Sequence, residues 1–256
     1  MKIWHMNGAG NDFMVMDARG GNYDFEALAV ELCKLTGADG FMALDRAEDA
    51  DFRLHFYNSD GSRGEMCGNG ARCICRFAYE HGIAGQTMTV QTDAGPVFGL
   101  RLSQTQYRVQ LPDPENMDLQ RKEDTAYVEV GCPHAVREFT GQLWEQAEEL
   151  KETMRALRFD PAFPKGANVD YYRWLDRDTV QILTFERGVE DFTLACGTGS
   201  GAVAAVLYAQ GKLPGDVLHL QNRGGMMTVT VAREDSGATR LWLEGPTEVT
   251  KIYDMP

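Results

Sequence analysis

The chain has 256 residues, 43% of them hydrophobic and 25% charged, enough for one large globular domain or two medium ones, each with a proper core. Its 25 Lys and Arg stand against 38 Asp and Glu, a net charge of −13, and no basic run occurs. That argues against nucleic acid or an anionic membrane as partner, since phosphate binding needs clustered cations, and leaves room for an anionic small molecule held by backbone dipoles.

The N-terminal "MKIWHMNGAGNDF" lacks the apolar core of a signal peptide, so a cytoplasmic protein is expected. Residues 25 to 35 place Phe25, Leu28, Ala29, Leu32 and Cys33 on one helical face, with Asp24 as N-cap and Gly37 past the end. "FRLHFYN" (52 to 58) alternates Phe52, Leu54 and Phe56 with Arg53, His55 and Tyr57, which is strand periodicity. After Gly70, "ARCICRFAYEHG" reads as a helix stopped by Gly82. "TMTVQT", "QYRVQL", "AYVEV", "VQILTF", "MTVTV" and "RLWLE" read as further strands. Residues 143 to 157 predict another helix through Leu143, Ala147, Leu150, Met154 and Leu157. After Gly199, "SGAVAAVLYAQG" predicts a last helix, apolar on almost every face and therefore enclosed, ending at Gly211. Only Ala202 to Ala209 of that stretch is continuously apolar, too short for a membrane span of about 20 residues. The six cysteines read as reduced thiols.

Two stretches half a chain apart repeat one pattern: "MCGNGARC" at 66 to 73 and "ACGTGSGA" at 195 to 202. Each leads into a helix and then into a similar strand, "QTDAGPV" (91 to 97) and "QNRGGMMTV" (221 to 229). Upstream, "AGND" (9 to 12) is loosely echoed by "VGCP" (130 to 133). The chain therefore divides into two similar α/β (α+β) halves, residues 1–112 with Cys67 and 113–256 with Cys196, the last ten or so residues packing back on the first half. The break falls near "LPDPENMD" (111 to 118), where Pro and acidic residues cluster.

The first N–H groups of a helix have no intrahelical partner and attract anions, and glycines let a ligand approach the backbone closely. A cysteine at that place has its thiolate stabilised, so a free value near 8.5 can drop toward neutrality. One activated thiol beside one carboxylate-sized anion hole in each half fits inversion at a carbon next to a carboxylate. One thiolate removes the α-proton, the opposing thiol protonates the other face, and backbone donors stabilise the developing charge.

With "NGAGNDFMVMD", "TGADGF", "FYNSDGS", "EMCGNGARC", "ANV", "FERG" and "ACGTG", the chain resembles the diaminopimelate epimerase family nearly end to end. These are cofactor-independent enzymes of lysine and peptidoglycan precursor synthesis. The resemblance implies two pseudo-symmetric halves, each a mixed or antiparallel sheet or barrel wrapped around a central helix, with the active site in the cleft between them. It implies Cys67 and Cys196 as base and acid, exchanging roles with direction. Gly68, Asn69, Gly197 and Thr198 would present backbone donors to the carboxylate at the reacting centre. Asn11, Asn58, Asn168, Glu186 and Arg187 would hold the substrate, the last two at its far end, where an arginine fork suits a carboxylate. An ideal strand points Glu186 and Arg187 opposite ways, so a turn starting at Gly188 must bring both to the ligand. The resemblance further implies no cofactor, no metal, a small amino-acid substrate, and often a homodimer.

The chain departs from the family pattern in three places. Where many members have Gly-Asn-Pro-His it has Gly131-Cys132-Pro133-His134; "ERGVEDFTLAC" is one residue longer than the commoner spacing and carries Phe192; and Gly40 stands near "ADGF" where some members have Gln. A related pyridoxal-phosphate-independent racemase of another amino acid stays open. "GTGSGA" also satisfies the dinucleotide fingerprint through Gly197, Gly199 and Ala202, but that fingerprint needs a parallel strand–helix–strand unit, and strands alone are expected after this helix. No C-x-x-C pair occurs, and Cys73 and Cys75 lie about 200° apart on a helix, so they cannot share a metal.

Overall fold

The computed structural model describes residues 1–64, 67–235 and 237–255. In chain order the elements are β1 (Lys2–Gly8), β2 (Asn11–Asp17), α1 (Phe25–Thr36), β3 (Gly40–Asp45), β4 (Phe52–Asn58), α2 (Gly68–Glu80), β5 (Thr87–Thr92), β6 (Gly95–Arg101) and β7 (Gln106–Gln110). They continue with β8 (Pro114–Lys122), β9 (Thr125–Val130), β10 (Cys132–Glu138), α3 (Ala147–Arg158), β11 (Asn168–Trp174), β12 (Thr179–Glu186), β13 (Asp191–Phe192) and α4 (Gly197–Ala209). The last four are β14 (Val217–Asn222), β15 (Gly225–Arg233), β16 (Thr239–Pro246) and β17 (Glu248–Asp254). The chain forms two compact units, residues 1–109 with the C-terminal stretch from Glu244, and residues 110–243. The break read from the sequence lies three residues later, after residue 112.

In the first unit β17, β1 and β2 run antiparallel, β2 pairs in parallel with β3, β3 antiparallel with β4, and β4 in parallel with β5; β5, β6 and β7 are antiparallel. In the second unit the same series recurs: β8, β9 and β10 antiparallel, β10 parallel with β11, β11 antiparallel with β12, β12 parallel with β14, and β14 antiparallel with β15. In each unit the two parallel joins are the two that need a helical crossover. Helices α1 and α2 serve the first unit and α3 and α4 the second. The internal repeat in the sequence is therefore a repeat of topology, and the fold is the pseudo-symmetric α/β arrangement expected.

Local chemistry accounts for the elements nearest the site. The Asp24 side chain accepts from Ala27 N–H, and Gly37, at φ 77°, donates its N–H to the Cys33 carbonyl at 2.8 Å, so α1 is closed at both ends. It buries Ala29, Leu32 and Cys33 against Met14, Met16, Phe41 and Ala43. Strand β4 keeps its two-residue period only through Leu54: beyond it Tyr57 is buried and Phe56 half-buried, with His55 and Tyr57 against Phe25 of α1 and Phe56 against Phe13. Helix α2 is buried from Gly68 through Ala78 and α4 at all but Thr198 of its first eleven positions, so each is a central helix. Each buried Val, Ile, Leu or Phe there contributes about 1.5–3 kcal/mol. Helix α3 begins four residues later than its apolar pattern. Leu143 and Trp144 lie in the preceding turn, where Leu143 is fully buried and Trp144 Nε1 donates to the Ile182 carbonyl at 3.0 Å. No helix is long and apolar enough to cross a membrane among the described residues.

Candidate active site

In the first unit Cys67 is the N-cap of α2, with extended backbone at φ −123° and ψ 120°; its side chain does not cap its own helix. Gly8 lies under that turn. A Cβ there would stand 2.8 Å from the Asn69 carbonyl oxygen and 2.9 Å from Cys73 Sγ, so the close approach of β1 to α2 requires glycine. A chain of amides fixes the helix start: Arg72 Nη2 donates to Asn69 Oδ1 (3.0 Å), Asn69 Nδ2 to Asn11 Oδ1 (2.6 Å), and Asn11 Nδ2 to Asp39 Oδ2 (3.2 Å). Arg72 is wholly buried and also donates to the Gly68 carbonyl at 3.2 Å, four residues back. Asn11, Cys67, Gly68 and Asn69 thus share one neighbourhood. Asn58 ends β4 in a turn role, donating from Nδ2 to Ser62 Oγ at 3.0 Å.

In the second unit Cys196 is the N-cap of α4 at φ −119° and ψ 115°, within a few degrees of Cys67. Its sulfur accepts from Gly199 N–H at 3.3 Å and lies 3.5 Å from Thr198 Oγ1. The thiol is buried, and burial, with the charges of Glu186, Asp170 and Cys132 adding to it, pushes Cys196 well above the usual thiol value. Beside it stands an unbroken polar chain. Thr184 Oγ1 donates to Asp170 Oδ1 (2.7 Å), His134 Nδ1 to Asp170 Oδ2 (2.7 Å), and His134 Nε2 lies 3.3 Å from Cys132 Sγ. Cys132 also takes the Asn168 amide at 3.2 Å and lies 3.7 Å from Thr198 Oγ1. Asn168 Oδ1 accepts the Arg187 N–H at 2.8 Å, so this asparagine ties β11 to the residue after β12. Strand β12 ends at Glu186, and the turn begins at Arg187, closed by Glu190 N–H on the Glu186 carbonyl at 2.8 Å with Gly188 at φ 94°. Glu186 acts on Cys196, whereas the exposed Arg187 guanidinium donates to the Lys165 carbonyl at 3.1 Å.

The sequence profile of the family described as diaminopimelate epimerase matches residues 3–106 and 126–246. The chain belongs to the diaminopimelate epimerase family. The diaminopimelate epimerase of Aquifex aeolicus is 34% identical over 92% of this chain and 91% of its own length. That of Hydrogenobaculum sp. is 32% identical over 99% and 97%. Among solved structures, a phenazine biosynthesis protein of the PhzF family from Bacillus anthracis superposes with a TM-score of 0.79 at 14% identity, covering 100% of this chain and 99% of that one. A probable proline racemase from Agrobacterium radiobacter gives 0.72 at 18%, covering 100% and 92%. As a member of an epimerase family, the protein is an isomerase.

Against that background three features of this diaminopimelate epimerase relative were not legible in its motifs. Asp170 sits mid-strand in "NVDYYRW" with nothing local to mark it, yet it explains a glycine: a Cβ on Gly199 would overlap Asp170 Oδ1 and stand 3.2 Å from its Cγ. Gly201 likewise admits Leu111, whose Cδ1 a Cβ would meet at 2.6 Å. The second feature corrects an expectation, because α4 does connect two parallel strands, β12 and β14. The dinucleotide reading therefore fails on contacts rather than on topology, since Asp170 occupies the space that Gly199 opens. Third, three thiols of the family member are held in the neutral form. Burial pushes Cys33 to about 11 and Cys73 and Cys75 to about 12.

Proposed function

We propose that the protein is a diaminopimelate epimerase, interconverting the LL and meso forms of 2,6-diaminopimelate with Cys67 and Cys196 as its two proton-transfer groups. The observation that carries this reading is the equivalence of the two thiols. Each is the N-cap of the central helix of its unit, at the same station of a repeated topology and with nearly the same backbone angles. A hydrogen next to a carboxylate leaves as a proton when a thiolate takes it, and a thiol returns a proton to the opposite face. Backbone N–H groups of Gly68 and Asn69, and of Gly197 and Thr198, stabilise the charge that spreads onto the carboxylate. Because burial and the nearby carboxylates favour its neutral form, Cys196 starts as the acid and Cys67 as the base, the roles reversing with direction. Asn11, Asn58 and Asn168 supply amides that hold the substrate, and Arg187 a donor and Glu186 an acceptor for its distal amino-acid end. Relatives of this name matching nearly the whole chain favour diaminopimelate over other amino acids. The reaction as proposed needs no pyridoxal phosphate and no metal, and it suits the cytoplasm, where thiols stay reduced.

The test is incorporation of deuterium from D₂O into the α-position of LL-diaminopimelate, beside a panel of monocarboxylate amino acids, without added cofactor. Exchange with diaminopimelate alone, abolished by Cys67→Ser and by Cys196→Ser, is expected. Exchange confined to a monocarboxylate amino acid overturns the substrate, and full turnover by either serine variant overturns the two-thiol chemistry.

A further inference from the structure

The mechanism gives no proton-transfer or substrate role to one titratable cluster: Cys132, His134 and Asp170, aligned in that order with Thr184 closing the far end. The Asp170 carboxylate is fully buried and accepts from both His134 Nδ1 and Thr184 Oγ1 at 2.7 Å, which fixes the imidazole's orientation and directs Nε2 at Cys132 Sγ, 3.3 Å away. A cysteine beside a histidine that is in turn oriented by an aspartate is the arrangement of an activated sulfur nucleophile. Unlike Cys33, Cys73, Cys75 and Cys196, Cys132 is partly exposed. Two further donors face the same sulfur, Asn168 Nδ2 at 3.2 Å and the Thr198 hydroxyl at 3.7 Å, so a negative sulfur has hydrogen-bond partners on three elements.

We propose that Cys132 is a nucleophilic thiolate and a modification site for low-molecular-weight disulfides. This inference does not depend on the epimerase reading. The Cys132 sulfur attacks one sulfur of the disulfide, a Cys132–S bond forms, and the reagent's own S–S bond breaks. The departing thiolate leaves with the electron pair and takes the Nε2 proton of His134, leaving a mixed disulfide, a neutral imidazole and one free small thiol. Cys132 is oxidised, and the displaced half of the reagent is reduced. The adduct stands against Thr198, next to Cys196.

The charged groups facing Cys132 are His134 from its own strand and Asp170 from β11, with the Cys196 thiol across Thr198 on α4. Burial works to raise Cys132 and is the largest single influence. The His134 charge with the hydrogen bonds from His134 and Thr198 outweighs it, and the thiol falls below its ordinary value. His134 moves the other way: burial would lower it, but the carboxylate of Asp170 and the charge of Cys132 raise it. Both shifts favour the charged forms, a thiolate beside an imidazolium.

The experiment labels the full-length protein with limiting iodoacetamide between pH 6 and 9 and quantifies each cysteine peptide by mass spectrometry. An ordinary thiol is only about 1% thiolate at pH 6.5 and loses tenfold in rate per unit below its midpoint. The Cys132 rate is expected to fall from pH 8 to 6.5 less steeply than the tenfold per unit of an ordinary thiol. Glutathione disulfide should place glutathione on the Cys132 peptide, removable by dithiothreitol. His134→Gln should restore the tenfold-per-unit decline. A Cys132 rate that falls tenfold per unit in the wild type, or glutathione spread over other cysteines with Cys132 unmodified, overturns the proposal whether or not the His134 variant folds.

Discussion

Replacing Gly199 with alanine tests the central packing claim for the second unit. The added methyl would overlap Asp170 Oδ1 and stand 3.2 Å from Asp170 Cγ and 3.3 Å from Cys196 Cβ. Asp170 cannot retreat freely, because its two oxygens are held at 2.7 Å by His134 and Thr184 and its side chain is fully buried. Overpacking costs about 1–3 kcal/mol, and losing a buried hydrogen bond to a charged group about 1.5–3 kcal/mol. Helix propensity returns up to about 1 kcal/mol. The net expectation is a loss of roughly 2–4 kcal/mol. The control is Gly215→Ala, where a Cβ would meet nothing within 4 Å and the backbone needs no left-handed angle, so the change is neutral or slightly stabilising. Urea unfolding followed by tryptophan fluorescence suits the comparison, since Trp144, Trp174 and Trp242 all lie in the second unit. A loss of about 3 kcal/mol lowers the midpoint by roughly 1 M or more in urea. Gly199→Ala combined with Asp170→Ser should be no less stable than Asp170→Ser alone, because the obstructing oxygen is gone. A Gly199→Ala protein within about 0.5 kcal/mol of the Gly215→Ala control would refute the reasoning, since surface changes fall in that range.

Two further outcomes follow from single interactions. Asp24→Ala removes the side-chain cap on Ala27 N–H and should lower stability by about 1 kcal/mol, read as a shifted urea midpoint at unchanged slope. His134 should remain protonated on both ring nitrogens well above pH 6.5, visible in nitrogen-15 spectra of the histidine side chains. Because its folded value is raised, the stability it contributes is complete below the unfolded value near 6.5 and is lost as pH climbs through the folded one. A ring that titrates near 6.5 would remove the basis for an imidazolium beside Cys132.

What the sequence disclosed depended on whether the determining chemistry was local. Asp24 and Gly37 act within one turn of α1, so its ends could be read directly. Helix α4 offers no polar face, and its enclosure followed. Strands β3 and β11 were not anticipated, because five consecutive residues of each are buried and no alternation betrays them. Arg72 shows the limit most clearly. A charged residue inside a central helix has no sequence signal, and its partners include the carbonyl of Gly68 and the side chain of Asn69 in its own first turn. At the site the two thiols and their glycines were legible as a repeated motif. The reason for Gly199 was not, because Asp170 reaches it only once β11 lies beside α4.

The repeat has preserved a backbone station and changed what surrounds it. Asn11 opens β2 after a turn in which Ala9 and Gly10 have positive φ, and Cys132 opens β10 after Gly131 at φ 70°, so the two residues are topological equivalents. In the first unit that position joins a chain of neutral amides ending on buried Arg72; in the second it joins Cys132, His134 and Asp170. The thiols at the helix starts consequently meet different fields. Cys196 has carboxylates acting on it and is buried, which favours its protonated form, whereas the guanidinium of Arg72 lies within its own helix's first turn in the Cys67 unit. Divergence of the residues behind the caps, with the caps themselves kept in the same conformation, gives one repeated motif two different electrostatic settings.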